Sequence, residues 1–299
     1  DEDQERRPGD VLDLVQRNKE QITVLAPFWY KVAHDGSIQD KSQRDVLTFA
    51  RENKIELEPL FTNAEGNDAV VRDPQARNRA IGDIVRTVRE NDFIGASIDF
   101  QLLDPSSRQA FNLFVAELAS RLHAAGKQLS VNLIPYKEAD QSNTAYDYGT
   151  LSKHADRIVL MMYDRHGQTS TAGAVAPLAW VESMIKTALT VAKPDKVVLG
   201  LAAYGYDWPA TGAAAQVVPL DRVGELLRRT GATLQRTANG VPHFAYVDAR
   251  GIRHNVWFED PTSIVPKIQL AKKYHLHGLA VWRVGYETQA YWDSIDKNR

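Results

Sequence analysis

The sequence predicts an α/β fold: a (β/α)8 TIM barrel with a small α+β insertion before its last strand. Short apolar β-rich runs alternate with amphipathic stretches of roughly 12 to 20 residues, the pattern of repeated βα units on a parallel sheet. The length, 299 residues, allows two ordinary domains or one large α/β barrel. Apolar residues make up 43%, enough for a full core without metal or disulfide support.

Taken in order, residues 8–19 read as an opening helix. Strands are expected at residues 22–30, 55–62, 93–100, 128–134, 157–163, 196–204 and 278–284, each an apolar run bounded by turn residues. The helical patterns between them are clearest at 74–91, at 106–125 with Leu113, Leu118 and Leu122 on one side, and at 176–192. Asp104-Pro105 is a start signal for the second of these and Gly126 a stop. Seven strands are one short of a closed barrel, so an initial strand is expected upstream of residue 1 or from a segment that the pattern does not assign. Residues 205–260 break the rhythm. A helical pattern at 219–230 precedes two alternating runs, Pro242–Val247 and Arg253–Phe258, around Asp248-Ala249-Arg250-Gly251, which reads as a hairpin. The organisation expected is one barrel domain over residues 1–299 with the 205–260 segment inserted in it.

Composition removes several function classes. The formal net charge is −2 with no long basic run, which argues against nucleic acid or an anionic membrane as partner. With no cysteine there is no thiolate metal site, disulfide framework or thiol nucleophile. No apolar window of 18 residues suggests a membrane span, and Asp1 to Arg7 do not read as a signal peptide. The histidines lack metal-ligand spacing, and His275 and His277 fall at the N-terminal end of the last strand, away from any expected site. No metal and no cofactor are expected.

Barrel chemistry sits at the C-terminal strand ends. Those ends carry Trp29 and Tyr30; Thr62 and Asn63; Asp99 and Gln101; Asn132 and Tyr136; Met161, Tyr163 and Asp164; Tyr204, Tyr206 and Trp208; and Trp282. Aromatic faces with amides and acids, and almost no Lys, Arg or His, suit a neutral sugar and offer nothing for phosphate. Met161 and Met162 read as core filler ahead of ligand contacts. Asp99 is harder to dismiss, because a lone carboxylate on a buried strand is costly unless something uses it. Asp99 and Gln101 are two residues apart, so a strand points both to one face. A paired acid there would be the apparatus of glycoside cleavage, yet the second group is an amide.

Gly95-x-x-Ile98-Asp99-Phe100-Gln101 resembles the D-G-x-D-x-D-x-E signature of family 18 glycoside hydrolases. Met161-Met162-Tyr163-Asp164 resembles the family's M-x-Y-D, and Leu279-Ala280-Val281-Trp282 its last strand. Ala26-Pro27-Phe28-Trp29-Tyr30 followed by Asp35-Gly36 resembles the branch of bacterial spore-cortex and peptidoglycan N-acetylglucosaminidases. The resemblance implies substrate-assisted, configuration-retaining cleavage of a β-linked N-acetylglucosamine polymer, peptidoglycan or chitin-like. It gives Asp99, Gln101, Tyr163 and Asp164 catalytic positions. Asp99 orients the substrate acetamido group, Tyr163 bonds to it, Asp164 supports the subsite, and Trp282 stacks beneath the ring. Trp29, Tyr30, Asn63, Asn132, Met161, Tyr204 and Tyr206 are the further substrate-binding candidates. Ile94 and Ser97 replace two aspartates of the fullest signature, and Gln101 replaces the general acid, so the chain is expected to be inactive or impaired. The alternative is a natural pseudoenzyme, a lectin-like carbohydrate-binding module. Either way the partner is a polysaccharide or oligosaccharide, the chain a monomer, and the setting extracellular, cell-surface or spore-associated.

Overall fold

A computed structural model describes residues 8–63, 68–135 and 144–299. They form two compact units: residues 22–160 with 188–198, and residues 8–21, 161–187 and 199–299.

In the first unit, strands run in the order Ile38–Asp40, Phe28–Val32, Leu60–Asn63, Gly95–Asp99, Gln128–Leu133, Arg157–Leu160. All neighbours pair in parallel except the first two, an antiparallel hairpin. That hairpin was not expected from the sequence. Its turn carries Asp35-Gly36, with Gly36 at φ 81° and so close to Ala76 that a Cβ would lie 2.1 Å from the Ala76 carbonyl oxygen. Two expected strands are interrupted. Val24–Leu25 pairs with Glu56–Leu57 in a separate ladder before the main sheet resumes at Phe28 and Leu60. The breaks fall at Pro27 and Pro59, which have no N–H to give a ladder.

The helices of this unit are set by their caps and faces. Pro74–Glu90 begins at Asp73, whose carboxylate accepts from the Gln75 N–H at 2.8 Å, with proline at the first helical position. It buries Ala76, Ala80, Ile81, Ile84 and Val88, an i, i+4, i+8 stripe. Arg108–Ala124 follows a short 3-10 turn, Pro105–Ser107, capped by Asp104. It buries Phe111, Phe114, Leu118 and Leu122, but Leu113 stands 45% exposed. Five residues from Leu118 is well over one turn, which takes Leu113 off the buried face.

Glu58, 5% exposed, is held in a polar cluster inside the unit. The Ser130 hydroxyl donates to both its oxygens at 3.0 Å, and the Arg157 guanidinium donates to Glu58 Oε1 at 2.9 Å and to the Ser130 hydroxyl oxygen at 3.1 Å. Burial pushes the Glu58 carboxyl up, and Arg157 opposes that shift.

The second unit is built on a five-stranded antiparallel sheet in the order Gln216–Pro219, Tyr204–Pro209, Arg253–Phe258, Pro242–Val247, Gln235–Arg236. The hairpin residues Pro242–Val247 and Arg253–Phe258 occupy the expected positions; the short outer strands were not foreseen. Gly205 sits where Tyr204–Pro209 meets Arg253–Phe258, and a Cβ there would lie 2.1 Å from the Trp257 carbonyl oxygen. Gly278–Trp282 lies beside Val197–Ala202, whose residues from Leu199 onward belong to this unit. A buried ion pair, Lys267 to Glu259 at 2.6 Å, is completed by the Ser263 hydroxyl donating to Glu259 at 2.7 Å. Among the described residues no helix is long and apolar enough to cross a membrane.

Candidate active site

In the first unit the site is built around the end of the strand Gly95–Asp99. Gly95 lets that strand approach its neighbour, since a Cβ would lie 2.3 Å from the Gln128 carbonyl oxygen. Asp99 closes the strand and is 6% exposed. Gln101 lies beyond the strand end, yet its side chain turns back, and Nε2 donates to Asp99 Oδ1 at 2.9 Å and Oδ2 at 3.1 Å. Burial pushes the Asp99 carboxyl up, while the Gln101 amide holds it down.

The neighbouring strand fixes the Gln101 backbone. Asn63 Oδ1 accepts from the Gln101 N–H and Asn63 Nδ2 donates to the Gln101 carbonyl, both at 2.9 Å. Asn132 is 9% exposed and donates to the Ser97 hydroxyl at 2.8 Å and the Ile98 carbonyl at 3.1 Å. Ser97, at a position where the fullest signature has an aspartate, thus anchors Asn132. Tyr146 was not foreseen. Its hydroxyl donates to the Phe100 carbonyl at 2.9 Å, and burial pushes its phenol up to about 12.

Trp29 and Tyr30, substrate-binding candidates from the sequence, are both buried. They are 6% and 2% exposed, and Tyr30 stacks on Phe61 with centroids 4.7 Å apart. Trp29 packs against Phe93 and Tyr30. Both rings thus sit among other aromatic side chains, while Phe28 on the same strand stands 62% exposed. Thr62 donates to the Tyr30 carbonyl at 3.4 Å. Tyr136 lies outside the described residues.

In the second unit the centre is Asp164, held at φ 57°. Both tyrosines of the strand Tyr204–Pro209 converge on one of its oxygens: Tyr204 donates to Oδ1 at 2.6 Å and Tyr206 at 2.8 Å. Alternation along the strand puts them on one face, and Gly205 between them keeps the backbone close to its partner. Burial pushes the Asp164 carboxyl up and the two phenols pull it down. Both phenols are raised by burial and by the Asp164 charge.

Tyr163 meets Tyr204 edge-on at 6.2 Å. Tyr163 and Trp282 are partly buried against the cluster of Val175, Ala202, Tyr204, Tyr206, Trp208 and Ala215. Trp208 is therefore packing. The Trp282 carbonyl accepts from the Ala203 N–H at 2.8 Å, and the peptide bond from Trp282 to Arg283 is cis. Met161 is 9% exposed and its carbonyl accepts from the Tyr163 N–H at 2.9 Å.

The same unit contains a polar cluster with no counterpart in the sequence reading. Asp207 accepts from the Tyr246 hydroxyl at 2.5 Å and lies 2.8 Å from His254 Nδ1, whose ring stacks on Tyr246 with centroids 4.7 Å apart. Cross-strand neighbours at offsets of about 40 residues leave no local sequence signal. Among the described residues no group of three or more His, Asp or Glu could hold a metal ion.

Comparison with known proteins places these motifs in context. The family described as Glycosyl hydrolases family 18 matches residues 62–287. A Bacillus subtilis protein named uncharacterized glycosylase YvbX is 28% identical over 293 residues, covering 92% of this chain and 84% of that protein. The cortical fragment-lytic enzyme of the same organism is 30% identical over 288 residues, and the match covers 91% of this chain and 66% of the enzyme. The crystal structure of a chitinase from Chromobacterium violaceum superposes with a TM-score of 0.88 at 26% identity, covering 96% of this chain and 94% of that one. The likeness gives the fold class, an α/β TIM barrel.

Proposed function

The chain belongs to glycosyl hydrolase family 18, and from that premise we propose that it is a barrel for β-linked N-acetylglucosamine polymers whose hydrolytic step is disarmed at Gln101. The observation that carries the reading is the Gln101 amide bonded to both oxygens of Asp99. Asp99, Tyr163, Asp164 and Trp282 remain in place, and the departures at Ile94 and Ser97 fall on positions that do not transfer the proton. The cortical fragment-lytic relative supports a peptidoglycan substrate, and the chitinase likeness a chitin-type one. Such polymers lie outside the cell membrane, which supports an extracellular or spore-associated setting.

In the substrate-assisted scheme the acetamido oxygen of the sugar attacks its own anomeric carbon as the glycosidic bond breaks. A general acid gives its proton to the leaving oxygen. Water then opens the oxazolinium ring, giving a proton back to the same group, and configuration is retained. Asp99 orients the acetamido group and balances the positive charge that develops on it. Tyr163 bonds to that acetamido group, and Asp164, steadied by Tyr204 and Tyr206, supports the subsite. Trp282 supplies an apolar face for the ring. Gln101 has no proton to give at ordinary pH, so the leaving oxygen must depart unaided, at a cost on the order of 10²–10⁴ in rate. Asn63 holds Gln101 rather than contacting sugar directly, and Asn132 braces the strand behind Asp99.

A second reading, a lectin-like module, is favoured by the same amide, because a bound sugar stays intact beside it. One experiment separates the two. Binding and hydrolysis of peptidoglycan and N-acetylglucosamine oligomers are measured for the chain and for Gln101→Glu. Hydrolysis by the glutamate variant alone, with binding by both, supports the disarmed hydrolase. Binding by both with hydrolysis by neither supports the module. Absence of binding by either overturns both.

A further inference from the structure

Leu102 follows the acid position directly. Its backbone is left-handed, φ 55°, a conformation that leucine adopts only at a cost. Its side chain is 73% exposed, the most exposed of the large hydrophobic residues among those described. One exposed leucine is unremarkable, and one left-handed residue is tolerable. Here the two features meet in one residue, directly after the acid position.

The surroundings hold the residue in that conformation from both sides. On the N-terminal side, Asn63 brackets the Gln101 N–H and carbonyl, each at 2.9 Å, and Tyr146 bonds the Phe100 carbonyl at 2.9 Å. On the C-terminal side, the Leu103 N–H donates to the Tyr146 hydroxyl at 3.5 Å, and the Asp104 N–H donates to the Asp68 carboxylate at 3.1 and 3.3 Å. Leu103 is 6% exposed and Tyr146 8%, so the clamp itself is packed. A turn fixed this firmly presents the Leu102 side chain outward on a rigid base instead of letting it fold onto the core.

We propose that Leu102 is a specificity-determining residue for the leaving-group side of the substrate, making an apolar contact with a methyl group borne by a substituent of the leaving sugar. The proposal rests on the hydrolase-type reading above. The group at position 101 must face the leaving oxygen, so the next residue on a rigid turn lies alongside the leaving sugar. Chitin-type sugars carry only hydroxyls and acetamido groups there. Alternate sugars of peptidoglycan carry a lactyl ether at O3, whose methyl group is the kind of surface an exposed leucine covers. The contact therefore favours a lactyl-bearing glycan over a plain N-acetylglucosamine chain.

The test uses the chain as it stands, since Gln101 allows equilibrium binding without turnover. Dissociation constants are measured by calorimetry for a tetrasaccharide of alternating N-acetylglucosamine and N-acetylmuramic acid and for tetra-N-acetylglucosamine. Leu102→Ala and Leu102→Gly should each weaken the lactyl-bearing ligand roughly five- to tenfold and the plain one less than about twofold, in the range of an apolar contact of methyl size. Leu102→Met should keep the preference. Glycine accepts the left-handed backbone, so a loss in Leu102→Gly does not come from strain, and its melting temperature should hold or rise. Equal losses on both ligands, or no loss on either, would overturn the role of Leu102 while leaving the site reading intact. If neither tetrasaccharide binds the unaltered chain, the site reading and this inference fail together.

Discussion

The side-chain amide of Gln101 donates to both carboxylate oxygens of Asp99, at 2.9 and 3.1 Å. An amide keeps that arrangement at any pH, whereas a carboxyl group there keeps it only while protonated. Gln101→Glu thus brings a second acid within hydrogen-bond reach of Asp99, and like charges so close share one proton over a wide range. Hydrolysis of N-acetylglucosamine oligomers is expected to rise on the order of 10²-fold or more. Its pH–rate profile should be bell-shaped, with the alkaline limb marking loss of the shared proton. Initial rates across the pH range, with the product anomer followed by NMR, check both. Net inversion would rule out substrate assistance.

Asp99→Asn should stabilise the fold while abolishing any restored activity. Burial raises the Asp99 carboxyl in the folded chain. The folded state therefore binds more protons than the unfolded state between the two values, and stability falls as pH rises through that window. The asparagine variant does not titrate, so its advantage should be absent in acid and grow towards neutral pH. Thermal melts of both proteins from acid to neutral pH read this directly. An advantage constant across pH would mean that the carboxyl is not held up by burial.

Tyr206→Phe removes one of two phenols from Asp164 Oδ1. Those bonds hold the Asp164 carboxyl down against burial, so the variant should titrate higher. In the Gln101→Glu background we expect kcat to fall about tenfold, as for loss of one hydrogen bond to a charged group. The acid limb of the profile should move to higher pH. Tyr204→Phe should act in the same direction, and the double variant should move the limb further. A kcat loss with an unmoved limb would make the tyrosines mere packing.

How much of this was legible in the sequence depends on the range of the signal. Asp99, Gln101 and the run from Met161 to Asp164 announce themselves because each motif is local to a strand end. Tyr204 and Tyr206 were legible as rim residues, but their convergence on Asp164 across 40 and 42 positions was not. The burial of Trp29 and Tyr30 was not legible, because a strand's apolar pattern does not say which of its faces remains open. The bonds from Asn63 to the Gln101 backbone span 38 positions and left no local signal. Tyr146 and the hairpin closed at Gly36 carried too little local pattern to find.

Arg157→Leu should be strongly destabilising. It leaves Glu58 buried and charged with Ser130 as its remaining hydrogen-bond partner in that cluster. Breaking one side of a buried pair costs about 3–5 kcal/mol. Glu58 is already raised by burial and opposed by Arg157, so removing the guanidinium raises it further. Stability then declines with rising pH, and the deficit should narrow on acidification. Urea melts at acid and neutral pH measure it. A deficit that does not depend on pH would point to lost packing by the arginine stem.

The Glu58 cluster also has a consequence for a chain still being made, since its members are far apart in sequence. The carboxylate leaves the ribosome 99 residues before the guanidinium that pairs with it. Until Arg157 arrives, docking the intervening strands means burying an uncompensated charge, and the nascent sheet is held in a loose, hydrated condition. Tight packing of these strands around Glu58 is therefore expected to wait for the strand Arg157–Leu160, which brings the compensating guanidinium to the sheet.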